Sequence, residues 1–319
     1  MSFLPPYLVA DIGGTTTRVA AATAAGVLSS VEVATLDDGS ADPVELLVKV
    51  RNSLSDCRYG AIAVAGRVDS DDIQLTNRNW HFSRSALERR LGLRKLIVVN
   101  DFVAMAHAIR ALPKQDLATI REGRVVHDAP RMVCGPGTGF GLAVIYGRRH
   151  IIPTEAGHLR LGGINAREAD LLATISGGKP ERLIVEDLIS GKGLCAIHRA
   201  LTNTELSAKE IVEGAERGSP DARETAQTFL RIFGRFLANM SLLFDARGGV
   251  YIGGGVGASL LNFYSSPDFM RWFENHPSNH EVLSKIPVRV VTHSVPGLIG
   301  AMQIVRNEFS ESKSGNLEQ

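Results

Sequence analysis

Two stretches combine residue types and spacing suited to anion chemistry: Ala10-Asp11-Ile12-Gly13-Gly14-Thr15 and Gly135-Pro136-Gly137-Thr138-Gly139-Phe140-Gly141. Glycine turns let backbone N–H groups approach a phosphate without Cβ interference, and a threonine hydroxyl adds a donor. Asp11 beside such a turn has the hard oxygen chemistry that holds magnesium through water. The residues alone leave a plain hairpin turn equally open. Neither stretch is G-x-x-x-x-G-K-[ST] or G-x-G-x-x-G, so neither a P-loop nor a dinucleotide fingerprint is supported. Gly253-Gly254-Gly255 is a third glycine run and follows an apolar stretch. It permits close backbone approach to a nucleotide.

Asn100-Asp101 comes after the apolar run Leu96–Val99, where ligands bind in open α/β sheets. A carboxylate there can accept a proton from a substrate hydroxyl during phosphoryl transfer. The competing reading makes Asp101 the N-cap of a helix through Phe102–Ala111. Glu155 and His158, in Pro153-Thr-Glu-Ala-Gly-His158, can hydrogen-bond sugar hydroxyls. They could equally begin a metal site, but no third ligand is nearby in sequence. By composition alone, Glu186 reads as a surface residue.

These residues need strands to carry them. Tyr7–Ala10, Val19–Ala22, Val27–Leu36, Ala61–Ala65, Leu96–Val99, Met132–Cys134, Leu142–Tyr146, Val250–Ile252 and Val288–Thr292 have the apolar or β-branched character of strands. Helices are expected from Pro43, from Ser85 with Glu88 at capping-box spacing, over Pro220–Asp245, and over Gly297–Glu308. In the Pro220–Asp245 stretch, Phe229, Ile232, Phe233, Phe236, Leu237, Met240 and Phe244 repeat at three- and four-residue steps, the mark of a buried face. The order strand, glycine-threonine turn, strand occurs near residue 7 and again near residue 131. That is a weak internal duplication.

The chain has 319 residues, 44% of them hydrophobic, and a formal net charge of +1. That balance gives no footprint for nucleic acid or an anionic membrane. No apolar run nears the roughly 20 residues that span a bilayer. Cys57, Cys134 and Cys195 are spaced for neither a disulfide framework nor a zinc site. Without a secretory signal over Met1–Pro6, the expected location is the cytoplasm.

With these motifs in this order, the sequence resembles the bacterial-type glucokinase family of the hexokinase, actin and heat-shock chaperone ATPase superfamily. The resemblance is carried by Asp11–Thr15, Thr76-Asn77 with Trp80-His-Phe82, Asn100–Phe102, Gly135–Gly141, Glu155–His158, Glu186 before Leu188-Ile-Ser-Gly191, Gly253–Gly255 and Pro296-Gly-Leu298. It implies an α/β fold of two ribonuclease-H-like domains with an interdomain cleft. The small domain would hold residues 1–110 and the C-terminal helix 298–309; the large domain would be 111–297, and 310–319 a disordered tail.

The resemblance further implies ATP contacts from Ala10 to Thr15, at Gly137-Thr138 and at Gly253–Gly255, with magnesium at Asp11 through water. Asn100, Asp101, Glu155, His158 and Glu186 would hold glucose, and Asp101 would take the proton of its C6 hydroxyl. The family also suggests a homodimer. Thr154 and Ala156 stand where the family commonly has glycine, and Pro136 where it has a small residue. ROK kinases and repressors carry a cysteine-rich zinc loop after their Glu-x-Gly-His; Leu159–Asn165 has no cysteine. The reading is ATP-dependent phosphorylation of D-glucose to glucose 6-phosphate, the first step of glycolysis. Rival readings are a kinase for mannose or an N-acetylated sugar, polyphosphate as donor, and a non-catalytic sugar sensor.

Overall fold

The computed structural model describes residues 6–310 apart from 24, 27, 36–41, 76–79 and 148–149. Val27, Leu36, Thr76-Asn77 and the tail after Ser310 lie outside the described residues. The chain separates into two compact units: unit 1 is Met1–Pro113 with His293–Gln319, and unit 2 is Lys114–Thr292.

Unit 1 carries strands β1 (Tyr7–Ile12), β2 (Thr16–Ala22), β3 (Leu28–Thr35), β4 (Tyr59–Val64), β5 (Gly66–Arg67), β6 (Asp72–Leu75), β7 (His81–Ser83) and β8 (Lys95–Asn100). Its main sheet has the order β3-β2-β1-β4-β8, while β5-β6-β7 form a small separate sheet. β1 pairs antiparallel with β2 and parallel with β4, which pairs parallel with β8. Side chains alternate across a strand. Leu8, Ala10 and Ile12 join a cluster with Val44 and Leu47 of the helix Pro43–Asn52. Tyr7 and Val9 face the other way, packed with Leu298, Ala301 and Met302 of the helix Pro296–Ser310.

Unit 2 carries β9 (Leu117–Arg121), β10 (Arg131–Pro136), β11 (Phe140–Tyr146), β12 (His150–Pro153), β13 (Gly249–Ile252) and β14 (Val288–Val291), in the order β12-β11-β10-β13-β14-β9. The first five repeat the pattern of unit 1. β10 is antiparallel to β11 and parallel to β13, β11 is antiparallel to β12, and β13 is parallel to β14. The 24-residue helix Pro220–Leu243 buries Phe229, Ile232, Phe233, Phe236 and Leu237, and the Phe236 ring meets Phe140 edge-on, 5.4 Å between centroids. The duplication that is faint in the letters is plain in the strand order.

Three local expectations are corrected. The helix Arg84–Arg90 is capped by Ser83, whose side chain accepts from the Ala86 N–H; Glu88 instead accepts from the Leu96 N–H at 2.6 Å. The second glycine turn is shorter than the glycine run, because β10 continues through Gly135-Pro136 and only Gly137-Thr138-Gly139 turn, closed by Gly137 N–H to Gly139 O at 2.8 Å. β9 and the small sheet are strands that the sequence pattern does not announce.

Candidate active site

In unit 1, Asp11 is the fifth residue of β1. Alternation places it on the face of Tyr7 and Val9, toward the N-terminus of the helix Pro296–Ser310. A Cβ at Gly297 would overlap the Asp11 carboxylate, so a side chain there would force that carboxylate to shift. Arg18, the register partner of Asp11 on β2, brings its guanidinium to 3.9 Å. Burial pushes the Asp11 carboxyl up to about 6 against the opposing pull of Arg18.

The strand β8 ends on Asn100, and the helix Asp101–Ile109 begins at the next residue. Asn100 is the N-cap, its Oδ1 accepting from the N–H groups of Phe102 at 2.9 Å and Val103 at 3.4 Å. Its amide donates to the Gly66 carbonyl at 3.3 Å. Because Asn100 fills the capping position, the cap reading of Asp101 is set aside. Asp101 is the first helical residue, and its Oδ1 accepts from the Phe102 N–H at 3.0 Å. Burial, and then the negative charge of Asp11, push its carboxyl up to about 7, while the Phe102 N–H pulls the other way. Asp101 thus senses the charge of Asp11.

In unit 2, two glycine runs meet. A Cβ at Gly135 would overlap the Gly253 carbonyl, and one at Gly254, whose φ is +79°, would overlap the Pro136 carbonyl. Backbone therefore lies directly on backbone, and the turn Gly137–Gly139 and the run Gly253–Gly255 form one cradle. Gly191, at the start of the helix Gly191–Thr202, donates its N–H to the Gly137 carbonyl at 2.9 Å. Glu155 Oε2 and His158 Nδ1 lie 2.8 Å apart on an exposed turn. A Cβ at Gly157 would stand 3.6 Å from the Glu186 carboxylate, so Glu186 joins that turn. Thr154 locks the approach, donating to the Leu142 carbonyl at 2.8 Å and accepting from the Ala156 N–H at 3.3 Å.

The sequence-derived site residues fall into three groups: Ala10 through Thr15 with Asn100-Asp101, the double glycine cradle, and Glu155–His158 with Glu186. The side chains of Ala10 and Ile12 are packed in the core, so only their backbone is left to serve a ligand. Sequence reasoning missed Arg18, Gly66, Gly191 and the role of Gly297. The one available signal was proline followed by glycine at a helix start. Among the described residues no three His, Cys, Asp or Glu gather as a metal site, and no helix is long and apolar enough to cross a membrane.

Two sheets of one order, each with a three-residue glycine-threonine turn at the same place, and a carboxylate just past a parallel strand define a phosphotransferase of the actin-like ATPase fold. The family model described as Glucokinase matches residues 8–308. A glucokinase of Helicobacter pylori strain J99 is 34% identical over 321 residues, which cover 93% of this chain and 94% of that protein. The chain belongs to the glucokinase family. Among solved structures, the glucokinase of Balamuthia mandrillaris in complex with glucose is 23% identical with a TM-score of 0.82, over 95% of this chain and 94% of its own. A ROK family glucokinase of Streptomyces griseus in complex with glucose and AMPPNP is 22% identical with a TM-score of 0.66, over 95% and 99%.

Proposed function

We propose that this chain transfers the γ-phosphoryl group of ATP to the C6 hydroxyl of D-glucose, with Asp101 as the general base. The observation that carries this is the place of Asp101: a partly buried carboxyl just past the end of β8, raised to about 7 by burial and by the charge of Asp11. A base with that affinity is part ionised at neutral pH and can hold the hydroxyl proton as the oxygen attacks phosphorus. Family membership supports glucose as acceptor and ATP as donor.

The N–H groups of Gly13–Thr15 and of Gly137-Thr138 would bind phosphate oxygens, and Gly253–Gly255 would lie against adenosine. Asn100, Glu155, His158 and Glu186 would hold sugar hydroxyls; with Asn100 Oδ1 committed to the helix cap, that residue serves glucose through its amide. Magnesium fits Asp11, a hard oxygen donor whose proton affinity burial raises even with Arg18 at 3.9 Å. Held by Asp11, such an ion would supply positive charge to offset that of the transferring phosphates. The reaction belongs in the cytoplasm, at the head of glycolysis.

The test is a coupled assay across glucose, mannose and N-acetylglucosamine with ATP or polyphosphate, run on the native chain and on Asp101→Asn. Glucose with ATP is expected to give the highest kcat/KM. The variant should lose at least roughly 10²-fold in kcat while still binding glucose. Preference for another hexose would overturn the substrate; near-normal turnover by Asp101→Asn would overturn the base.

A further inference from the structure

We propose that unit 2 carries a second binding site, outside the groups assigned above, for a small phosphate ester such as a sugar phosphate. A solvent-open groove of about 390 Å³ lies along one face of the helix Pro220–Leu243, where Arg223, Glu224, Gln227, Thr228 and Arg231 recur at three- and four-residue steps, and it is flanked by Arg167 of the helix Ala166–Ile175. That volume falls within the roughly 300–1,000 Å³ of small-molecule sites, but this lining is polar where most are apolar. A polar, arginine-rich lining suits a ligand that is itself strongly polar and anionic.

The charge count sets the sign of the ligand. Behind the groove, Glu168 is 2% exposed and answers two guanidiniums, Arg235 at 2.9 Å and Arg231 at 3.5 Å. Glu224 pairs with Arg167, and the Arg223 Nε donates to the Ala215 carbonyl at 3.1 Å. Four arginines against two glutamates leave two positive charges here, in a chain whose total is +1. The buried Nε of Arg231 faces Glu168 Oε1 as an ion pair without hydrogen-bond geometry, and Arg231 Nη2 donates to the Thr228 hydroxyl at 3.4 Å. A phosphate dianion matches the surplus. Arg223 and Arg231 can donate to it from one helix face, the Thr228 hydroxyl beside them adds a further polar group, and Arg167 turns to it from Glu224. The Gln227 amide and the remaining volume would receive the ester portion.

The test is calorimetric titration with glucose 6-phosphate and with inorganic phosphate, run with saturating glucose and AMPPNP so that the catalytic groups are occupied. Saturable binding of one glucose 6-phosphate per chain is expected, tighter than inorganic phosphate. The double variant Arg167→Gln with Arg223→Gln should weaken it at least roughly tenfold, since each lost contact is a charge-assisted hydrogen bond. Glu224→Gln frees Arg167 and removes a repelling charge, so it should tighten binding, an effect that misfolding cannot imitate. Melting temperatures of the free variants check the fold, and if the double variant does not fold, Glu224→Gln decides. No saturable binding, insensitivity to the double variant, or weaker binding by Glu224→Gln would overturn the site. Equal affinity for the two probes would overturn the ester. The binding measurement needs no turnover, so its failure is separate from any failure of glucose phosphorylation.

Discussion

The hairpins β1–β2 and β10–β11 are built to one plan. Each has a six-residue strand, a three-residue turn and a seven-residue strand, with turns at 13–15 and 137–139. They part at the fifth residue of the first strand. Unit 1 has Asp11 there, given room by Gly297; unit 2 has Gly135, lying on the Gly253 carbonyl. One copy thus turns the shared position into a partly buried charge, and the other into a backbone contact. Carboxylates follow the same division. In unit 1 the charge of Asp11 adds to burial in raising the proton affinity of Asp101, whereas the cradle of unit 2 is lined by glycine backbone. A duplicated scaffold can supply two similar anion turns, and single residues then divide the work between charge handling and close fit.

Exchanging the character of that position gives the largest expected effect. Asp11→Asn keeps the shape and removes the charge, so turnover should fall roughly 10²- to 10³-fold, the range for losing one electrostatic contact to the transition state. Stability should move the other way. The folded-state value of Asp11, about 6, lies above the ordinary 3.8, so the ionised carboxylate opposes folding at pH 8 and the variant should melt higher there. That advantage should shrink as pH falls through about 6 and vanish below 3.8. A variant that melts lower at pH 8 would contradict the picture of a charge held for function.

Gly297→Ala tests the same contrast from outside the strand, because its methyl group displaces the Asp11 carboxylate. A misplacement of about 1 Å is worth up to roughly 10² in rate, and kcat is the quantity to follow. Gly135→Ala is the counterpart in unit 2 and should act on folding instead. Its Cβ meets the rigid Gly253 backbone, an overpacking that costs about 1–3 kcal/mol, visible as a lower melting temperature in calorimetry. If Gly135→Ala melts normally but loses activity, the division between the two copies fails.

The smallest effect is a displaced pH profile. With Asp101 raised to about 7, kcat/KM should climb with pH through about 7 and then level, because only the ionised base accepts the proton. Asp11→Asn removes the second cause of that rise, so the midpoint of its residual activity should move to lower pH. An unmoved midpoint would mean that the two carboxylates do not interact.

Much of this arrangement was legible in the sequence, for identifiable reasons. Strands buried on both faces and the aromatic face of Pro220–Leu243 announce themselves through apolar pattern, and turns through glycine with threonine. The edge strand Leu117–Arg121 is only partly buried, and the strands of the small sheet have two to four residues, too short for a period to register. Capping was misassigned by one or two residues, to Asp101 for Asn100 and to Ser85 for Ser83, because neighbouring residues of equal capping ability cannot be ranked without backbone angles. Glu186 and Gly297 owe their roles to neighbours far away in sequence, Gly157 and Asp11, and no local pattern carries that information.

Unit 1 is written in two pieces, with all of unit 2 between them, and its sheet is covered on one face by Pro296–Ser310. During synthesis unit 1 therefore emerges first and is completed last, its strands waiting for a helix near the end of the chain. The Thr292 N–H donates to the Asp116 carbonyl at 2.9 Å, so the segments by which the chain leaves and rejoins unit 1 are held side by side within unit 2. Once the middle of the chain has folded, the closing helix no longer searches from the end of a long loose loop. It starts a short tether away, which removes most of the loop-closure entropy. An insertion that looks like an obstacle to folding becomes the splint for the domain it interrupts.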